Sequence, residues 1–225
     1  MRRFVTNDVP AVGEFVCLNE EVSHHLLRVT GVAPGEQVEL FDGAGAGAVA
    51  ELCDVQGGLA RLRIVSLKTT ERGSHPIHLR VAQLRASTLD TVLRMATELG
   101  VTDVTVVHSE RCVARGNKQE RWLRIVRSAA AQCGRVDWPK IHMPCDFSAA
   151  LQLDEGVVGI MCDPNSPTSL SASESAVCLL IGPEGGWSDS ERHQAVDAGW
   201  TLRGLGTHVL RADTAAVAAI SRCLL

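Results

Sequence analysis

The sequence predicts two domains of different class: a small β-barrel over residues 1–70, then an α/β domain with a mostly parallel sheet over residues 75–225. Three observations lead to this reading. The front of the chain carries short runs that alternate polar and apolar residues between glycine turns. The remainder alternates strand-like and helix-like segments, the pattern of a layered α/β fold. Between them, Thr69-Thr-Glu-Arg-Gly-Ser-His-Pro76 is polar and contains Gly and Pro, a natural boundary.

In the first domain, Glu36-Gln-Val-Glu-Leu-Phe41 alternates, Asp42-Gly43 opens a turn, and Ala48-Val-Ala-Glu-Leu-Cys53 follows. Gly57-Gly58 marks a second turn before the alternating Leu59–Val65. Gly43-Ala-Gly-Ala-Gly47 lacks G-x-G-x-x-G spacing, and no helical pattern follows it, so it reads as a flexible hairpin turn rather than a dinucleotide loop. His24-His25 has no Cys or acid at ligand spacing and reads as a structural or surface pair.

In the second domain, Ile77–Leu84 is strand-like. Ser87 is placed to cap a helix with Asp90 at the capping-box position; Leu89, Val92, Leu93, Ala96 and Leu99 form its apolar face, and Gly100 ends it. Val101–Val107 reads as the next strand. A helix over Asn117–Cys133 places Trp122, Ile125, Val126, Ala129 and Cys133 inward, and Gly134 stops it. Gly156–Cys162, the run ending at Gly182, and Thr201–Gly206 complete the strands, and an alanine-rich helix spans Asp213–Leu225. Trp187 and Trp200 read as packing residues around the last helices.

The run Cys178-Leu-Leu-Ile181 ends in Gly182-Pro-Glu-Gly-Gly186, which cannot continue a strand because proline has no donor and glycine weakens pairing. Ser188 then caps a helix, with Glu191 three positions on. Strand, glycine loop and capped helix together turn main-chain N–H groups toward a ligand.

Composition narrows the function classes. Apolar residues make up 45% of the chain, enough for a core without metal or disulfide staples. No apolar run reaches the roughly 18 residues of a membrane span, and Met1-Arg-Arg-Phe-Val-Thr-Asn-Asp8 lacks the apolar core of a signal peptide. A cytoplasmic protein without membrane partners is expected. Cys17, Cys53, Cys112, Cys133, Cys145, Cys162, Cys178 and Cys223 stand singly with no C-x-x-C, and read as reduced core residues rather than a disulfide framework. Net charge is −4, yet the stretch from Arg111 to Lys140 carries eight basic residues against Glu120 and Asp137, a local +6 against −10 elsewhere. A cationic surface on an acidic protein marks either a polyanion site or a solvated helix face.

Leu179-Leu-Ile-Gly-Pro-Glu-Gly-Gly186 and Leu205-Gly-x-x-Val-Leu-Arg211 resemble the RsmE family of 16S rRNA uracil-N3 methyltransferases. Ala96-Thr-Glu-Leu-Gly100, Ser109-Glu-Arg-Cys112, Gln132-Cys-Gly-Arg135, His24-His25-Leu-Leu-Arg-Val29, Pro34-Gly35 and Leu40-Phe-Asp-Gly43 extend the resemblance over nearly the whole chain. It implies a SPOUT trefoil-knot methyltransferase domain, a rare departure from the rule that chains do not thread loops, preceded by a PUA-like barrel that binds RNA. It also implies a homodimer acting on 16S rRNA in the small ribosomal subunit, with S-adenosyl-L-methionine as methyl donor and no metal.

The resemblance places that donor against Met161, Cys162, Ile181, Gly182, Pro183, Glu184, Gly185, Gly186, Leu205, Gly206, Val209 and Leu210. Small residues let backbone groups read adenine and ribose at close range. Methylation at N3 requires loss of the N3 proton and in-line attack on the methyl carbon, so positioning and a nearby cation supply the catalysis. Arg211 is the expected cation, with an exposed helix-start arginine or a phosphate clamp as its other readings. Glu184 either takes the proton or holds a partner arginine, and solvent hydroxide is the rival acceptor. Arg28, Arg94, Arg111 and Arg135 are the candidates for RNA contacts. Two other readings fit the same residues: a non-catalytic RNA-binding assembly factor, and a SPOUT methyltransferase acting on ribose 2′-OH or on tRNA.

Overall fold

The computed structural model describes residues 1–69, 75–112, 116–172 and 175–224. The linker read over 69–76 falls mostly outside them, as do Arg115 of the cationic stretch and Leu225. The chain divides into two compact units, residues 1–72 with 130–138, and residues 73–129 with 139–225.

The first unit is a five-stranded sheet of order β1-β3-β4-β5-β2, with β1 (Arg3–Val5), β2 (Phe15–Cys17), β3 (Gln37–Phe41), β4 (Ala46–Gln56) and β5 (Leu59–Thr69). β1 runs parallel to β3 and the other pairs are antiparallel. The Asp42 turn forms as its composition predicts: the carboxylate accepts the backbone N–H groups of Ala44, Gly45 and Ala46 at 2.8, 3.0 and 3.0 Å. Register shifts at Val49/Ala50 and Leu52/Asp54 bend the long hairpin, and Val38, Leu40, Leu52, Leu62 and Ile64 fill one core with Phe4 and Leu26. A short helix, α1 (Glu20–His24), continues into a π-turn over His25–Val29. His25 meets Phe4 edge to face at 5.6 Å between ring centroids, a packing role for one of the paired histidines.

Residues 130–138, read from the sequence with the second domain, group with the first unit. Gly43 N–H donates to Val136 O and Trp138 N–H to Gly43 O, and Phe41, Ala130 and Val136 pack together.

The second unit holds β6 (Ile77–Ala82), β7 (Asp103–His108), β8 (Lys140–Ile141), β9 (Cys145–Asp146), β10 (Val158–Cys162), β11 (Val177–Ile181) and β12 (Thr201–Arg203). Their order is β12-β10-β11-β6-β7-β8, with β9 beside the far end of β7, and every pairing among the described residues is parallel. β11, between β10 and β6, is buried at all five positions, which explains its unbroken apolar run. β8 and β9 have two residues each and were not foreseen, being too short to show a period.

The helices are α2 (Ala86–Glu98), α3 (Gln119–Cys133), α4 (Asp189–Asp197) and α5 (Ala212–Leu224). Ser87 does not cap α2. The helix starts one residue earlier, after Arg85, with no side-chain cap, and Asp90 pairs instead with Arg121. Leu89, Val92, Leu93 and Ala96 are buried as their spacing predicts. In α3, Trp122, Val126, Ala129 and Ala130 are buried, whereas Cys133 is exposed at the last turn. All eight cysteines are free thiols, but only Cys162, Cys178 and Cys223 are buried in the core, and Cys17 and Cys133 are exposed. Burial pushes the Cys162 and Cys178 thiols up to about 12, so neither is a nucleophile at neutral pH.

Two expectations follow. Leu179, fully buried in β11, should cost about 2–5 kcal/mol when changed to Ala, against roughly 0.5 kcal/mol or less for the half-exposed Val158→Ala, as read from urea unfolding. His78 of β6 donates or shares a proton with Asp103 of β7 at 2.5 Å. That hydrogen bond, opposed by partial burial, raises the His78 pKa above 6.5. The stabilisation is therefore fully present below the unfolded value and lost as pH rises through the higher folded value. NMR titration should place the His78 midpoint above 6.5, and Asp103→Asn should bring it down; an unchanged midpoint would refute the coupling.

Candidate active site

In the second unit, parallel strands send their carboxyl ends to one edge of the sheet, where ligands of open α/β sheets bind. The segments following β10, β11 and β12 meet there around a cavity of about 650 Å³. Residues 162–165, 181–187, Leu205 and 208–212 line it, together with Arg85, Ser87, Thr88 and Arg111 at its mouth.

The glycine loop is shaped by close approaches. A Cβ on Gly182 would lie 3.0 Å from the Trp187 indole, and one on Gly185 would lie 3.1 Å from Arg111 Cβ. Gly186 adopts φ +68°, a left-handed conformation that favours glycine. Trp187 is buried, and its Nε1 donates to Cys162 O at 3.1 Å, tying the end of β10 to the loop after β11. The capping box at α4 forms as the sequence predicts: Ser188 Oγ accepts Glu191 N–H at 3.2 Å, and Glu191 Oε2 accepts Ser188 N–H at 2.8 Å. Glu191 Oε1 reaches further and accepts Glu110 N–H at 2.9 Å. This holds the turn after β7 against the glycine loop, where Arg111 Nη1 donates to Gly185 O at 3.1 Å.

Of the residues singled out in the sequence, Cys162, Ile181, Gly182, Pro183, Glu184, Gly185, Gly186, Leu205, Val209, Leu210, Arg211 and Arg111 all line this cavity. Met161 does not. It is fully buried against Phe147, Trp187 and Trp200, because strand pleating turns neighbours to opposite faces. Gly206 is exposed outside the lining. Glu184 is exposed and accepts Arg85 N–H at 3.3 Å. Arg211 stands at the mouth with its side chain 82% exposed, 3.9 Å from Asp213. Arg94 pairs with Glu98 on α2 at 3.0 Å, away from the lining residues. Arg28 and Arg135 belong to the first unit; Arg28 is exposed, and Arg135 forks onto Asp137 at 3.0 and 3.1 Å.

Sequence reasoning missed Arg85, Ser87, Thr88, Asp163, Asn165, Arg192 and His208 among the lining residues. Asp163-Pro164-Asn165 carried a usable signal, since it breaks a buried strand just as Gly182-Pro183 does. Asp163 is buried, accepts Arg192 Nε at 2.5 Å, and bonds the Asn165 N–H at 2.9 Å.

The chain matches the RNA methyltransferase domain family over residues 71–224. It is 32% identical to a ribosomal RNA small subunit methyltransferase E from Synechocystis over 92% of this chain and 72% of that protein. It is 26% identical to the protein of that name from Bacillus subtilis over 92% and 88%. Among solved structures, ribosomal RNA small subunit methyltransferase E from Neisseria gonorrhoeae, bound to S-adenosyl methionine, superposes with a TM-score of 0.91 at 32% identity, covering 98% of this chain and 95% of that one.

The α4 cap yields a graded expectation. Ser188→Ala removes one acceptor and should cost about 1 kcal/mol. Glu191→Ala removes the acceptor of two N–H groups, the buried one of Ser188 and the part-buried one of Glu110, and should cost more, about 1–3 kcal/mol for the buried donor alone. Equal urea midpoints for the two variants would contradict the double role of Glu191.

Proposed function

The chain belongs to the family of ribosomal RNA small subunit methyltransferases E, and from that premise we propose that it methylates N3 of a uridine in 16S rRNA, using S-adenosylmethionine. The observation that carries this reading is the meeting of three strand-end segments around one cavity with an exposed arginine at its mouth. Its volume of about 650 Å³ lies within the range of about 300–1,000 Å³ usual for small-molecule sites. Bare glycine backbone on one side and Ile181, Leu205, Val209 and Leu210 on the others suit a nucleoside with a short chain.

When bound, S-adenosylmethionine supplies an electrophilic methyl carbon on a cationic sulfur that departs as a neutral thioether. The chain's own residues bind and orient around that centre. Arg211 stabilises the negative charge that uracil acquires as N3 loses its proton. Glu184, exposed beside Arg85 at the mouth, is the side-chain candidate to accept that proton, and solvent hydroxide is the alternative acceptor. Arg85, Arg111 and Arg211 together give the mouth a positive character suited to RNA phosphates, and the target base must leave its stack to enter.

The same reading assigns the second unit to the SPOUT class with its trefoil knot, and the first unit to a PUA-like RNA-binding barrel. The all-parallel sheet and the TM-score of 0.91 support it. It places the protein in the cytoplasm as a homodimer on the small ribosomal subunit. No helix among the described residues is long and apolar enough to cross a membrane.

Mass mapping of 16S rRNA from a deletion strain should reveal one uridine lacking a base methyl, restored by the intact gene; a missing ribose methyl would redirect the assignment to 2′-OH. Arg211→Ala should lower turnover by roughly 100- to 1,000-fold while S-adenosylmethionine affinity, measured by calorimetry, stays within a few-fold. Equal loss of both would move Arg211 to binding. Light scattering should give twice the chain mass.

A further inference from the structure

One face of the parallel sheet stays polar where apolar residues are the rule. Strands of an all-parallel sheet are covered on both faces and run apolar throughout, and β11 does so at all five positions. β6 and β7 do not. His78 and Arg80 on β6, and Asp103 and Thr105 on β7, alternate with the buried Ile77, Leu79, Val104 and Val106. The register sets His78 beside Asp103 and Arg80 beside Thr105, and β8 brings Lys140 beside Asp103. The two-residue period of a strand turns all five to one face. They line a cavity of about 370 Å³ that shares no residue with the one at the carboxyl ends of the strands.

The cations of this cavity lack a carboxylate of their own. Arg80 Nη1 donates to Ala150 O and Nη2 donates to Gln152 O at 2.6 Å, and the guanidinium lies 5.5 Å from the Trp200 ring. These contacts fix the fork and leave its charge uncompensated. A guanidinium has five N–H donors, so three remain for a ligand. Among the described residues neither Arg80 nor Lys140 forms an ion pair, because the Asp103 carboxylate is taken up by two imidazoles, His78 at 2.5 Å and His142 at 3.5 Å. Asp154, the other acid of the lining, is exposed, and solvent screens its charge. Burial pushes the Cys145 and Cys178 thiols up, so both stay neutral.

A cation would be repelled by Arg80 and Lys140, and an apolar ligand would leave their donors unpaired. The guanidinium fork matches an oxyanion. Donors arriving from β6, β7 and β8 suit an anion with acceptors on every side, as a phosphate has and a planar carboxylate has not. We propose that this cavity binds a phosphate group through Arg80, Lys140 and the Thr105 hydroxyl. The site is independent of the methylation reading. Its phosphate comes from an RNA backbone or from a free phosphate compound, and the chemistry of recognition is the same.

The test uses the full chain and NMR of the histidine imidazoles at constant pH and ionic strength. Inorganic phosphate or a short oligouridylate should shift the His78 resonances saturably. Arg80→Gln should weaken that binding about 10-fold or more. Lys140→Gln, at an exposed side chain, should weaken it as well and serves where Arg80→Gln does not fold. Sulfate, whose charge is constant in this range, should raise the His78 midpoint above its value in chloride, since a bound anion favours the protonated ring. A response to the oligonucleotide at far lower concentration than to phosphate assigns the site to RNA, and a response to phosphate alone assigns it to a free compound. No saturable shift with either probe, binding unchanged in both variants, or a midpoint that sulfate leaves in place overturns the inference.

Discussion

The first turn of α4 holds the site together. A helix start leaves backbone N–H groups without intrahelical partners, and burial makes each one costly to leave unbonded. Ser188 and Glu191 satisfy each other's N–H, and the Glu191 carboxylate lies where the helix dipole favours negative charge. The same turn, with Trp187 just before its cap, reaches outward: Trp187 to Cys162, Glu191 to Glu110, and Arg192 to Asp163. One turn of helix thereby couples the ends of β7, β10 and β11. A shift in any of these segments would strand a buried polar group.

That coupling explains why two carboxylates are tolerated inside. Asp163 is 2% exposed and Glu191 4% exposed, and an isolated buried charge would be strongly unfavourable. Each is fully occupied, Asp163 by a guanidinium and an amide, Glu191 by two amides. The arrangement spends buried polarity on position rather than on net stability, in line with the modest net worth of buried ion pairs. Around it, the electrostatics are local. The chain as a whole is at −4, while Arg85, Arg111, Arg192 and Arg211 outnumber Asp163 and Glu184 in the lining. A polyanion meets that local field rather than the average charge.

What was legible in the sequence depended on short-range rules. Ser188 and Glu191 lie three residues apart and cap by geometry alone, so their box was readable. Ser87 and Asp90 share the spacing, yet Asp90 has a tertiary partner in Arg121 and α2 starts after Arg85 without a side-chain cap. The apolar face of α2 followed its period, whereas α3 ended with Ala130 inside and Cys133 outside, because residues 130–138 answer to the other unit. Met161 illustrates the limit for strands. Motif resemblance marked the strand end, but only the pleat decides which neighbour faces the cavity and which the core.

By itself the sequence determined the strand, glycine loop and capped helix at residues 178–191, the alternating strands of the first unit, and the uneven charge along the chain. These arise from interactions among residues a few positions apart, which leave periods and spacings in the string. The tertiary structure decided that Asp163 meets Arg192, that Arg111 closes on Gly185, and that Arg135 packs with the first unit rather than lining the cavity. Asp163 and Arg192 are 29 positions apart, and Arg111 and Gly185 are 74 apart. Contacts at such separation follow from how parallel strands order themselves in a sheet, and strand order imprints no period on the residues it brings together.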